Sequence, residues 1–328
     1  MPETIMNLPD IHDIQDAAAR LKGIVTTTPL LRNDKLDELV GAPVYVKCEP
    51  LQVTGSFKIR GAYNRLCRLS AEEREKGVVA FSSGNHAQGV ARAARLLGMP
   101  AVIVMPEDTP AIKIDGVKAD GADIVFYDRF SESRELIAES LTKKLGAVLV
   151  PSFDDFHIIA GQGTCGLEIA EQWPLETPPA QLVCCVGGGG LISGVSLAVR
   201  NAFPDIEIFG AEPADFDDFD RSLKAGERLG NPAGARSICD ALLSERPGEM
   251  TFEIAREQLT GIGRISDDDA RDAVRFAFRN LKIVAEPGGA AALAAVLAGR
   301  IPVSDGPIVV VLTGGNIDAR QMSDILAV

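Results

Sequence analysis

Residues 54–61 read Thr54-Gly55-Ser56-Phe57-Lys58-Ile59-Arg60-Gly61. They lie between a strand-like run, Val44-Tyr45-Val46-Lys47, and a helix-like one over 62–69. Ser56 is placed as an N-cap, its hydroxyl able to accept an orphan N–H of the first turn. That puts Lys58 in the first turn of a helix, where the positive end of the dipole disfavours a second positive charge. Two readings stay open at this point. The lysine stem can carry its ammonium out to water, or the amine serves in a neutral or imine form.

The chain has 328 residues, 46% hydrophobic and 24% charged, with 32 glycines, which suits a globular protein of one large or two medium domains. A net charge of −13 argues against nucleic acid or an anionic membrane as a general partner, since both need basic patches. It leaves room for a small anionic ligand in a local pocket. No window approaches about 18 uninterrupted apolar residues, and residues 1–10 lack a signal pattern, so a cytoplasmic location is expected. The cysteines are Cys48, Cys67, Cys165, Cys184, Cys185 and Cys239. None forms a Cys-x-x-Cys pair, and three histidines are too few and scattered for a zinc cage. Cys184 and Cys185 fall on opposite faces of a strand-like run and read as buried thiols.

From residue 43 onward, short apolar runs alternate with helical spacing. Strands are expected at 78–81, 101–105, 123–127 and 148–151, with helices at 85–97, 110–119 and 131–145. A second series has helices at 158–172, 191–201, 267–281, 289–297 and 317–326, with strands at 182–186, 206–211 and 307–312. A first helix is expected over 11–22, and 213–248 reads as irregular. The pattern predicts an α/β fold: two open, mostly parallel twisted sheets covered by helices. The expected division is 1–52 plus 152–328 as a large domain and 53–151 as a small one, with Lys58 near the junction.

Val186-Gly187-Gly188-Gly189-Gly190-Leu191 joins a buried strand to a helix. Four glycines allow a tight turn that aims successive N–H groups at an anion. The dinucleotide pattern G-x-G-x-x-G/A fails at Ile192 or Ser193, and no Gly-Lys-Ser/Thr follows, so a single phosphate ester fits better than a nucleotide. Ser82-Ser83-Gly84-Asn85-His86 and Thr313-Gly314-Gly315-Asn316 each end a strand with small polar side chains, where ligands bind in open α/β sheets. Either could equally be a helix cap.

These motifs, with Ile159-Ala160-Gly161-Gln162-Gly163-Thr164, resemble the fold-type II pyridoxal-phosphate enzymes, which are tryptophan synthase β-like in fold. The specific resemblance is to the serine/threonine dehydratase and serine racemase family, including 3-hydroxyaspartate ammonia-lyases. It covers about residues 11–320, with the motifs in the family's order. It implies that Lys58 binds pyridoxal 5′-phosphate as an imine and later takes the substrate's Cα proton. Phe57 and Ala241 would flank the ring, Asn85 would bond its 3′-oxygen, and Thr313 would face its nitrogen. The amides of Gly187, Gly188, Gly189, Gly190 and Leu191 would hold the phosphate. A neutral hydroxyl at the ring nitrogen favours prompt elimination over transamination.

By the same resemblance, the substrate carboxylate would meet Ser82, Asn85 and His86, and Ser83 would stand as a second catalytic group on the opposite ring face. Arg134 and Ser244 would approach the substrate's far end, Arg134 favouring a second carboxylate. Arg134 also reads as one half of a helix-surface ion pair. Glu212, the Phe216 carbonyl and Asp218 would bind Mg²⁺ or Ca²⁺, though an acidic surface turn reads the same way. Val53 replaces a lysine of nucleotide-activated relatives, which puts such activation in doubt, and the end at Val328 leaves no room for a C-terminal regulatory domain. The expected activity is a dehydratase acting on 3-hydroxyaspartate, threonine or serine, in a homodimer. Rival readings are an amino-acid racemase, a cofactor-binding protein without turnover, and a nucleotide-binding oxidoreductase that the glycine spacing disfavours.

Overall fold

A computed structural model describes residues 6–82, 84–109, 111–128 and 131–327. The strands are β1 (Leu30–Arg32), β2 (Val44–Cys48), β3 (Val78–Phe81), β4 (Ala101–Pro106) and β5 (Asp123–Tyr127). They continue with β6 (Val148–Leu149), β7 (Gln181–Cys185), β8 (Glu207–Pro213), β9 (Gly261–Ile265) and β10 (Ile308–Leu312). One sheet has the order β1-β2-β10-β7-β8-β9 and the other β5-β4-β3-β6. Every pairing is parallel except β1 with β2.

The first helices are α1 (Ile11–Leu21), α2 (Asp34–Val40), α3 (Lys58–Leu66), α4 (Ala71–Lys76) and α5 (Asn85–Leu97). Next come α6 (Ala111–Ala119), α7 (Arg134–Leu145), α8 (Phe156–Gln172), α9 (Gly190–Ala202) and α10 (Asp218–Ala225). The last are α11 (Glu249–Gln258), α12 (Asp267–Phe276), α13 (Ala291–Leu297) and α14 (Ala319–Leu326). None is long and apolar enough to cross a membrane, among the described residues.

β2, β7 and β10 are buried along their whole length, as a parallel sheet covered on both faces requires. Val183 and Cys185 pack into one core cluster and Leu182 and Cys184 into another, so the adjacent cysteines do take opposite faces. Both cysteines are free.

Several expectations need correction. Ser56 does not cap α3: it is extended, at φ −162°, and pairs in an isolated bridge with Gly314. Its buried hydroxyl has no partner, and α3 starts at Lys58 without a side-chain cap. The tract 213–248 is not irregular throughout, because α10 and a 3₁₀ turn at Asp240–Leu242 lie in it. α2, α11, β1 and β9 were not anticipated. Gly261 and Gly263 dilute the strand signal of β9, and three-residue β1 is too short to show a period. The helix expected over 267–281 changes to a π-type turn at Ala277–Leu281.

Candidate active site

The carboxyl ends of β3, β7 and β10 open onto one cavity of about 440 Å³. Lys58, Phe57, Ser82, Asn85, His86 and Arg134 all line it, as do Gly187, Gly188, Gly189, Gly190 and Leu191 with Ala241, Ser244 and Thr313. Ser83 lies outside the described residues.

Thr54 and Gly55 carry the chain into α3 with φ +69° and +72°, values that L side chains seldom take. A Cβ on Gly55 would fall 2.5 Å from Asn316 Oδ1, so glycine is needed there on two counts. The turn delivers Lys58 half-buried at the first position of α3, its Nζ donating to Ser152 O at 2.9 Å and lying 5.1 Å from the Phe57 ring centre. Burial lowers the Lys58 ammonium from its ordinary value to about 8, although Cys185 and Glu286 pull it upward. Desolvation, and not the helix dipole invoked from the sequence, is the largest cause of that lowering.

The glycine run caps α9, with Gly189 at φ +93°. The first amides of α9 have no partner within the helix. Close packing explains the remaining glycines. A Cβ on Gly188 would fall 2.3 Å from the Phe153 ring, and one on Gly190 would fall 2.9 Å from Phe153 Cα. Gly187 packs against the 3₁₀ turn that carries Ala241, with Ser244 Oγ 3.5 Å from its built Cβ position.

Asn85 opens α5. Its Oδ1 accepts from Asn316 Nδ2 at 2.7 Å, which fixes the amide so that Nδ2 donates to Glu286 Oε1 at 2.5 Å. Thr313 lies beside Cys185, with Oγ1 and Sγ 3.3 Å apart. His86 spends its ring on Val150, with Nε2 donating to the carbonyl at 3.0 Å. Burial, then the Lys58 charge, lowers its pKa to about 3, so its side chain offers a ligand no cation. Arg134 sits 5.4 Å from the Phe81 ring centre, and its Nε donates to Glu135 Oε1 at 2.7 Å. Arg134 therefore makes the helix-surface pair and also lines the cavity.

Sequence reasoning missed Glu286, Cys185, Ser152 and the pair Lys113–Asp240, all of which line the cavity. Burial, then Asp240, pushes the Glu286 carboxyl up to about 7. The signal for Glu286 was available, as a lone acid before Pro287-Gly288-Gly289 in an apolar stretch. Glu212 and Asp218 lie elsewhere, on β8 and the first turn of α10. Glu212 accepts the amides of Phe219 and Asp220, at 3.3 and 3.0 Å. Asp218 Oδ1 accepts from Asn231, while its buried Oδ2 has no partner. No group of three His, Cys, Asp or Glu side chains is gathered as a metal site among the described residues.

Comparison with known proteins gives this geometry a context. The model of the family described as pyridoxal-phosphate dependent enzymes matches residues 21–314. An L-threo-3-hydroxyaspartate ammonia-lyase from Pseudomonas sp is 42% identical over 98% of this chain and 99% of its own. An L-threonine ammonia-lyase from Thermotoga maritima is 40% identical over 96% of this chain and 78% of its own. The solved structure of maize serine racemase superposes with a TM-score of 0.91 at 36% identity, covering 98% of each chain.

Proposed function

The chain belongs to the family of pyridoxal-phosphate dependent enzymes, and on that premise we propose that it is an ammonia-lyase for a β-hydroxy amino acid with a second carboxylate, 3-hydroxyaspartate. Threonine and serine are the lesser substrates. The observation that carries the reading is the content of one cavity: an amine of lowered pKa, a glycine-capped helix start, an amide donor, a neutral hydroxyl and Arg134.

The residues fit the cofactor. The free amides at the start of α9 suit a phosphate, and Lys58 suits a carbonyl. Asn85 Nδ2 is a fixed donor, and the Thr313 hydroxyl is the neutral group for a ring nitrogen. Bound there, pyridoxal phosphate supplies an electrophilic carbon for the substrate's amine and an electron sink for the bonds at Cα.

The side chains do the rest. Near pH 8 about half of the Lys58 amine is neutral, so it can take the Cα proton without a helper base. Ser152 O holds that amine in place before the proton moves. The Thr313 hydroxyl brings no carboxylate to the place where the ring nitrogen would sit, so the site would favour loss of the β-hydroxyl as water. Hydrolysis of the released enamine yields a keto acid and ammonia. Arg134 offers its terminal nitrogens to the second carboxylate.

Glu212, the Phe216 carbonyl and Asp218 are proposed as a Mg²⁺ or Ca²⁺ site, supported by the partnerless Asp218 Oδ2. A homodimer, a cytoplasmic location and the large and small domains divided at 52/53 and 151/152 complete the proposal.

The test is a panel of threo- and erythro-3-hydroxyaspartate with both enantiomers of serine and threonine, scored for ammonia, keto acid and enantiomer. Keto acid from a hydroxyaspartate should dominate, and Arg134→Ala should lose that substrate selectively. Dominant enantiomer formation would replace the lyase with a racemase. Lys58→Ala should remove both turnover and the absorbance of lysine-bound cofactor.

A further inference from the structure

Lys113 lies on α6 with only 7% of its side chain exposed, yet it reaches the cavity and pairs with Asp240 on the 3₁₀ turn that carries Ala241. Its Nζ also lies 3.9 Å from the position a Cβ would take on Gly84, the residue that starts α5 between Ser82 and Asn85. The two partners are unequally placed. Asp240 keeps 51% of its side chain in solvent, so water can take over its carboxylate when the pair opens. The Lys113 side chain is largely enclosed, so opening the pair with no anion to replace Asp240 would be costly.

We propose that Lys113 is the cation that receives the substrate's α-carboxylate and that Asp240 holds the place until the substrate arrives. This rests on the α5 start being the carboxylate end of the substrate site, as in the function proposed above. Substrate entry then exchanges one carboxylate for another at the same ammonium, with no buried charge left alone. Asp240 swings to water, and the turn bearing Ala241 is released from α6. His86 cannot fill this role, because its ring is neutral and turned to Val150. The exchange makes the site selective for acids over the matching amino alcohols, whatever the side chain.

The experiment measures propionate binding to the holoenzyme by calorimetry, for the wild type, Lys113→Gln, Asp240→Asn and the double variant. Propionate has no amine, so it reports the carboxylate contact alone and needs no turnover. Lys113→Gln should weaken propionate about tenfold or more, the size of one enclosed charge-assisted contact. Asp240→Asn should tighten it about three- to tenfold, because the resident competitor is gone. A misfolded variant cannot bind more tightly, so that sign is the decisive one. In the double variant the gain should vanish. Equal affinities in all four proteins, no binding to the wild type, or tightening that survives loss of Lys113 would each overturn the exchange. A protein that binds propionate as expected but releases no keto acid would overturn the lyase reading and leave the exchange standing.

Discussion

Arg60→Met should destabilise the fold by about 3–5 kcal/mol, the cost of breaking a buried ion pair on one side. Arg60 and Glu49 are both 0% exposed. Arg60 Nε and Nη2 donate to the two Glu49 oxygens at 2.8 Å each. Its Nη1 and Nη2 reach Glu168 at 2.6 and 2.9 Å, and Nη1 also reaches Thr164 at 3.2 Å. Methionine fills the space and makes none of these bonds. Lys47 still holds Glu168, at 2.6 Å, but Glu49 keeps only the Thr28 hydroxyl.

The deficit has a pH signature. Burial pushes the Glu49 carboxyl up, but Arg60 outweighs it and holds the group below its ordinary 4.5. In the wild type, Glu49 therefore adds stability above about pH 4.5 and loses it as pH falls through the lower folded value. Without Arg60, burial prevails, the folded pKa rises above 4.5, and stability is lost as pH rises instead. The deficit should be larger at pH 8 than at pH 5, approaching ~1.4 kcal/mol for each unit by which burial raises the folded pKa. Urea unfolding followed by circular dichroism at both pH values measures it, and Arg60→Met with Glu49→Gln should recover most of the loss. A deficit below about 1 kcal/mol at pH 8, or one equal at both pH values, would refute this account of the cluster.

Two further outcomes are expected. The lyase rate should rise about tenfold per pH unit below pH 8 and level off above it, because burial lowers the Lys58 amine to about 8; a flat rate from pH 6 to 9 would remove Lys58 as the proton acceptor. Added Mg²⁺ or Ca²⁺ should raise the melting temperature of the wild type but not of Asp218→Asn, whose buried Oδ2 is the open ligand position; equal shifts in both would remove the cation from that loop.

The sequence displayed what local periodicity and turn chemistry encode. The helix at 85–97 and the strands at 78–81 and 123–127 were legible to the residue, because helical spacing or a short continuous apolar run marks each one. The cavity's glycine run, Asn85 and Thr313 were legible because each follows closely on a strand, and Lys58 because it stands at the start of a helix. Lys113 and Asp240 were not, since 127 positions separate them and neither lies in a motif. Ser56 misled for a related reason. A serine before a helix looks like a cap, but its backbone is claimed by Gly314, on a segment remote in sequence.

That bridge explains why the opening stretch needs its strained turn. Phe57 N donates to Thr313 O at 3.2 Å, and Gly315 N donates to Gly55 O at 2.9 Å. Asn316 Nδ2 donates both to Thr54 O, at 2.8 Å, and to Asn85 Oδ1, at 2.7 Å. One backbone strip therefore sets the amine of Lys58, the hydroxyl of Thr313 and the amide of Asn85 relative to each other. A shift of any one would drag the others, because they share hydrogen bonds and not merely a cavity wall. The positive φ of Thr54, costing of order 1–3 kcal/mol, is tolerated because Asn316 pins the carbonyl of that same residue. Precise placement of three groups from three distant segments needs such a common strip, and side-chain packing alone would leave each free to adjust.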